Sequence, residues 1–176
     1  MKRIALLIVF VCFFISPAKA EEMTRRYYIE ISIGARELYL YESATDGSYM
    51  PVRTYDVAVP KKGIKEYPRG EGKITGIEFR PAWYPTKNTR ESYLKKKKIV
   101  LPDIIFPGSP LNAMGAAKIY LSHCTSYGCA YRIHGTNDEK SIGKAVSRGC
   151  FRMRNKEIEE LARLLKGREV KVDIIF

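Results

Sequence analysis

Between Tyr27 and Val59 the apolar residues return at every second position in separate short runs, and this spacing is what a chain of this kind is least free to ignore. Ile29, Ile31 and Ile33 alternate with polar neighbours. Leu38 and Leu40 resume the rhythm after Gly34-Ala35-Arg36. A period of two places one face of a strand against a core, so these segments read as a β-hairpin. Thr45-Asp46-Gly47-Ser48 is a turn, and Pro51 to Val59 reads as a further strand carrying Val52, Val57 and Val59. Residues 60–72 are rich in Gly, Pro and Lys and read as loop, and Lys73 to Phe79 as strand. Ala117 to Ser122, Ala130 to His134 and Glu169 to Phe176 complete the strands.

A period of 3.6 appears once, over Lys156 to Lys166, where Ile158, Leu161, Leu164 and Leu165 share a face. Asn155 is positioned to cap this helix and Gly167 to end it. Arg80 to Lys98, with Pro81, Pro85, Trp83 and four consecutive lysines, reads as an excursion from the sheet. Many strands with one late helix predict a mostly β domain, a sandwich or partly closed barrel. At 176 residues, without repeats or a low-complexity linker, one such domain fills the chain.

The first twenty residues stand apart. Lys2 and Arg3 precede twelve apolar residues, Ile4 to Ile15; Ser16-Pro17 breaks the run, and Ala18-Lys19-Ala20 has the small residues of a cleavage site. This is the pattern of a secretory signal peptide, residues 1–20, with the mature domain at 21–176. Twelve helical residues at 1.5 Å each cannot cross a hydrocarbon layer of about 30 Å, so no membrane anchor is expected after cleavage. Val11 before Cys12 argues against a lipoprotein. Cleavage after Ala20 leaves 28 basic and 19 acidic residues, a charge of +9, and three cysteines, Cys124, Cys129 and Cys150. An odd count in an oxidising compartment points to one pair and one free thiol.

The residues that carry chemistry lie late in the chain. His134 ends an apolar strand at Gly135, and Cys150 follows Gly149 outside regular structure. A thiol becomes a strong nucleophile when ionised, and a neighbouring histidine can take its proton. The N–H groups of residues 149 and 150 can stabilise an oxyanion, and the Gly135 carbonyl can fix the imidazole tautomer. Two other readings stand beside this one. Cys124, Cys129, His134 and Cys150 are ligand types that zinc accepts, and a disulfide-bonded binding module needs no nucleophile at all. The basic excess alone suggests a nucleic-acid binder, but the charges are scattered apart from Lys95 to Lys98 and no motif accompanies them.

His134-Gly135-Thr136, followed by Ser147-Arg148-Gly149-Cys150-Phe151-Arg152-Met153, closely resembles the signature of the L,D-transpeptidase catalytic domain, also called the YkuD-like domain. Upstream, Leu38 to Tyr41, Tyr67 to Ile74 and Phe106 to Gly115 resemble further segments of that family, so the resemblance runs from about Tyr27 to Phe176. It implies an L,D-transpeptidase-like β-sandwich and a cysteine acyl-transferase of peptidoglycan, needing no metal or organic cofactor. By motif, Cys150 is the nucleophile, His134 the base and the Gly135 carbonyl the group that orients it. Ser147, Arg148, Gly149, Arg152 and Thr136 are expected to line the substrate site. Many members carry histidine where this chain has Arg148, so Arg148 is assigned to the wall and not to proton transfer.

The implied partners are stem peptides: a tetrapeptide donor, and an amine or a lipoprotein lysine as acceptor, in the periplasm or cell wall and in the service of wall biogenesis and cell shape. Water as acceptor makes the same site an L,D-carboxypeptidase or a lipoprotein-releasing hydrolase. A wall-binding module without catalysis is the other class. Papain-like proteases are excluded by order, since their cysteine precedes the histidine. The Cys124 to Cys129 insertion departs from the family pattern. The spacing of these two suggests that they pair, closing a small loop beside the site and leaving Cys150 free. Arg80 to Lys98 could then form a loop over the cleft, with Trp83 and Tyr84 packing against glycan or peptide.

Overall fold

The computed structural model describes residues 25–64 and 66–176. The segment read as a signal peptide, residues 1–20, lies outside the described residues, as does Cys12. The expected hairpin forms from β1 (Tyr27–Ser32) and β2 (Glu37–Ser43), with Ile29 opposite Leu40 and Ile31 opposite Leu38. All four of these side chains are buried, as the alternation requires. β3 (Tyr49–Asp56) extends the sheet beyond β2.

The strand expected over Pro51 to Val59 divides in two. β3 ends at Asp56, and β4 (Val59–Pro60) joins β8 (Ala145–Ser147) in a separate two-stranded sheet. The chain turns away because Val57 N–H donates to the Arg36 carbonyl, while Ala58 and Arg152 exchange both of their backbone hydrogen bonds. This detour ties the β4 segment to the residues just after Cys150.

β5 (Gly70–Phe79), β6 (Ala117–Leu121), β7 (Arg132–His134), β9 (Phe151–Arg152) and β10 (Val170–Ile175) complete the main sheet. Its eight strands run in the order β3-β2-β1-β10-β5-β6-β7-β9 and curl around one core. β10 lies parallel to β1, and β9 lies parallel to β7. β5 begins three residues before the expected start, because Gly70 to Gly72 continue the antiparallel ladder with β10.

Among the described residues there are two α-helices where one is expected. α1 (Lys87–Lys97) lies inside the segment read as an irregular excursion. It buries no residue, so it has no apolar stripe from which a helix could be read. Local signals hold it instead. The Thr86 hydroxyl accepts from Thr89 N–H at 3.3 Å, and Lys98 takes the left-handed conformation that closes the last turn. Lys95, Lys96 and Lys97 sit at its negative end.

α2 (Asn155–Leu165) buries Ile158, Leu161, Ala162 and Leu165 against β5 and β6. Each large side chain there contributes roughly 1.5–3 kcal/mol through burial. Gly167 follows in the left-handed conformation, as expected. Asn155 does not cap the helix with its side chain. Its own N–H donates to Glu139 Oε1 at 2.9 Å, so a carboxylate from another segment meets the positive end.

Candidate active site

The far edge of the sheet positions the site. In β6, Ala117, Ile119 and Leu121 point to the core, which turns Lys118 and Tyr120 to the opposite face. Lys118 lies opposite His134 and Tyr120 opposite Arg132 on β7. On the other side of β7, Ile133 faces Phe151 and His134 faces Arg152, so Cys150 arrives one residue before a strand that runs beside the histidine. His134 and Cys150 both line a cleft of about 580 Å³. Ser147, Arg148, Gly149 and Arg152 line it too.

His134 is buried, and its Nδ1–H donates to the Gly135 carbonyl at 2.6 Å. A carbonyl can only accept, so the neutral ring keeps Nε2 as an unprotonated acceptor. Burial pushes the imidazole down to about 4, and Arg152, Arg132 and Lys118 push the same way against the Gly135 carbonyl. The Cys150 thiol is the free cysteine of the described residues, and it donates to the Ala130 carbonyl at 3.8 Å. Burial raises its pKa, while Arg132 and Arg152 act against that rise. The cleft at rest therefore holds a neutral thiol and a neutral imidazole.

The loop around Cys150 is shaped by its neighbours. Ser147 Oγ donates to the Cys150 carbonyl and accepts from Gly149 N–H at 3.2 Å. That second bond occupies one of the two N–H groups expected to face an oxyanion and leaves the Cys150 N–H for the role. Gly149 has φ 149°, and a Cβ there would stand 3.0 Å from the Tyr131 ring, so only glycine fits without strain.

Arg148 is exposed and donates to Thr89 Oγ1 of α1 at 3.2 Å. This contact draws the Arg80–Lys98 segment to the cleft, where Trp83, Tyr84 and Tyr93 form one wall. Thr136 belongs elsewhere. It is 1% exposed, its hydroxyl accepts from Asp138 N–H at 3.0 Å, and it lies beneath the cleft instead of lining it. Gly135 likewise serves from below, through its carbonyl.

Cys124 and Cys129 are joined by a disulfide. Both sulfurs are engaged there, so the four-ligand zinc set does not assemble. The loop they close places Tyr127 and Gly128 on the cleft rim, beside the site as expected.

Three residues of the candidate site escaped the sequence reading. Lys118 and Arg132 join Arg152 and Cys150 in lining the cleft, and Lys118 is held at 2.8 Å by Glu78. Both are legible in retrospect, since they fall on the opposite phase to Ile119 and Ile133. Asn155 is the third. Its Oδ1 accepts from Ala116 N–H at 3.0 Å and Thr136 N–H at 3.2 Å, and its Nδ2 donates to the Thr136 carbonyl at 2.7 Å. Its amide clasps the chain on either side of the site from beneath. A Cβ on Gly135 or Gly115 would collide with Asn155 Oδ1, which accounts for both glycines.

Residues 26–174 match the family described as the L,D-transpeptidase catalytic domain. A relative from Salmonella typhimurium named "Probable L,D-transpeptidase ErfK/SrfK" is 36% identical over 141 residues, covering 78% of this chain and 41% of the relative. "Probable L,D-transpeptidase YcfS" of Escherichia coli is 33% identical over 135 residues, covering 69% of this chain and 41% of its own length. The chain thus spans about two fifths of the length of these curated relatives. Among solved structures, Bdellovibrio bacteriovorus Bd1075 aligns with a TM-score of 0.56 at 21% identity, over 86% of this chain and 48% of that one. L,D-transpeptidase 3 of Mycobacterium tuberculosis aligns at 0.53 and 12% identity, over 86% and 62%. The fold is shared with both.

Proposed function

The chain belongs to the L,D-transpeptidase catalytic domain family, and from that membership we propose that it is an exported cysteine acyl-transferase acting on peptidoglycan stem peptides. The observation that carries the proposal is one cleft holding a free thiol and a histidine whose Nδ1 is bound to the Gly135 carbonyl. That arrangement leaves Nε2 to take a proton, which is what a thiol of raised pKa requires.

The reaction follows from these groups. Cys150 Sγ attacks the carbonyl of the third, L-centred residue of a tetrapeptide as its proton passes to His134 Nε2. The oxyanion forms near the Cys150 N–H, a donor fixed in place by the Ser147 bond to the same residue's carbonyl. His134 returns the proton to the departing D-alanine, leaving a thioester on Cys150. An acceptor amine then attacks the thioester, loses a proton to His134 and releases the thiol, forming a 3→3 cross-link or attaching a lipoprotein. Lys118, Arg132, Arg148 and Arg152 give the cleft a cationic lining suited to the carboxylates of stem peptides.

The signal pattern of residues 1–20 and the Cys124–Cys129 disulfide support export to the periplasm or cell wall. Among the described residues, no helix is long and apolar enough to cross a membrane. Mass spectrometry of products made from tetrapeptide donor, with and without amine acceptor, tests the proposal. A 3→3 product that disappears in Cys150→Ala supports it. Release of D-alanine with tripeptide as the sole product assigns hydrolysis instead, and no turnover of the donor contradicts acyl transfer altogether.

A further inference from the structure

Arg132 stands two residues before His134 on β7, so both side chains project from the same face of the sheet into the cleft. The Arg132 side chain curls back until Nη1 donates to the Ala130 carbonyl at 2.9 Å. The Cys150 thiol donates to that same oxygen at 3.8 Å. Guanidinium and sulfur therefore converge on one acceptor. The guanidinium also lies 5.5 Å from the Tyr120 ring, which helps to hold it there.

A thiolate in a half-buried site needs a countercharge, and His134 is poorly placed to be one. Its ring is buried, and Arg152, Arg132 and Lys118 all oppose its protonation. An arginine stays charged at every working pH. We propose that the Arg132 guanidinium is the countercharge of the Cys150 thiolate, turning from the Ala130 carbonyl to the sulfur as the thiol proton leaves. In the free protein that proton goes to solvent; during acyl transfer it goes to His134 Nε2. The loss of the S–H bond to Ala130 and the turning of Nη1 are two sides of one exchange at a single oxygen. The inference rests on Cys150 being the nucleophile.

The other charged and titratable groups facing the thiol are accounted for. Lys118 of β6 is paired with Glu78 of β5. Arg152, on the strand that Cys150 leads into, acts on the thiol in the same sense as Arg132 but more weakly. Arg148 is directed to Thr89 on α1. Of the facing phenols, Tyr131 is bonded to Thr125 Oγ1 at 2.6 Å, while Tyr127, Tyr84 and Tyr93 lie on the rim and far wall.

The test is the pH dependence of iodoacetamide alkylation of the full chain, with the label located at Cys150 by peptide mapping. Arg132→Gln is expected to raise the alkylation midpoint by about one pH unit and to slow the reaction at pH 7 by about tenfold. Arg132→Lys, which keeps the charge, is expected to stay within a few tenths of a unit of the parent. The thermal midpoint and the disulfide serve as controls for folding. A Gln variant that folds and titrates like the parent overturns the proposal. Should the Gln variant fail to fold, the Lys variant decides: an unmoved midpoint supports the countercharge, and a rise of about a unit contradicts it. Alkylation does not depend on acyl transfer. A Cys150→Ala protein that still forms 3→3 product would therefore remove the proposed function without touching this result.

Discussion

His134 is buried as a neutral ring, and that has a consequence for stability. An unfolded chain takes up the histidine proton near 6.5, whereas the folded protein resists it down to about 4. Between those values the unfolded state binds more protons, so stability falls as pH drops through the window and levels off below it. The full effect is on the order of 3 kcal/mol. Denaturant midpoints measured from pH 7 to pH 4 should show this loss, and His134→Gln should flatten it. Gly149 makes a second prediction at this scale. Gly149→Ala should be destabilised by about 1–3 kcal/mol and slow in alkylation, because its φ and the Tyr131 ring both reject a Cβ. That Cys150 and His134 share a cleft, with the Gly135 carbonyl on the imidazole, was legible because such a candidate site depends on residue type and local order. Thr136 was misplaced for the complementary reason: adjacency to His134 along the chain does not say which face of the strand end a side chain takes.

At the scale of elements, Asn155 shows how a local rule can be outbid. A short polar residue before an apolar run normally caps a helix, but here the amide serves three backbone groups of two other segments. Removing it leaves those groups without partners, at roughly 1–3 kcal/mol each where water cannot reach. Asn155→Ala should therefore lower the unfolding free energy by about 2–4 kcal/mol and reduce kcat more than KM, since the Gly135 carbonyl that holds His134 loses its support. The two helices make a matched pair for another measurement. α1 buries no residue and α2 buries four. Hydrogen exchange should find the α1 amides open well before those of α2. The same difference explains why only α2 was legible: a helix packed on a core advertises its period, and a helix held by caps does not. The split of Pro51 to Val59 was hidden likewise, since Val57 and Val59 are buried whichever sheet they join.

Over the whole molecule, the β-rich architecture was readable from alternation, while the strand order was not. β10 inserts between β1 and β5 from the far end of the sequence, and no local pattern announces that partner. At the other end of that order, β9 runs parallel to β7, so the short segment that begins at Cys150 is set in register against His134. The charge of +9 proposed for the mature chain suits an envelope polymer rich in carboxylates, and the cleft gathers part of that charge where substrate would lie. The central claim is that Cys150 becomes acylated by a stem tetrapeptide. Intact-mass analysis of the purified protein, mixed with tetrapeptide and quenched in acid before acceptor is added, tests it directly. A mass gain equal to the tetrapeptide less D-alanine, mapped to Cys150 and absent from Cys150→Ala, is expected. An unmodified protein that nonetheless consumes the tetrapeptide, or an adduct on another residue, would contradict it.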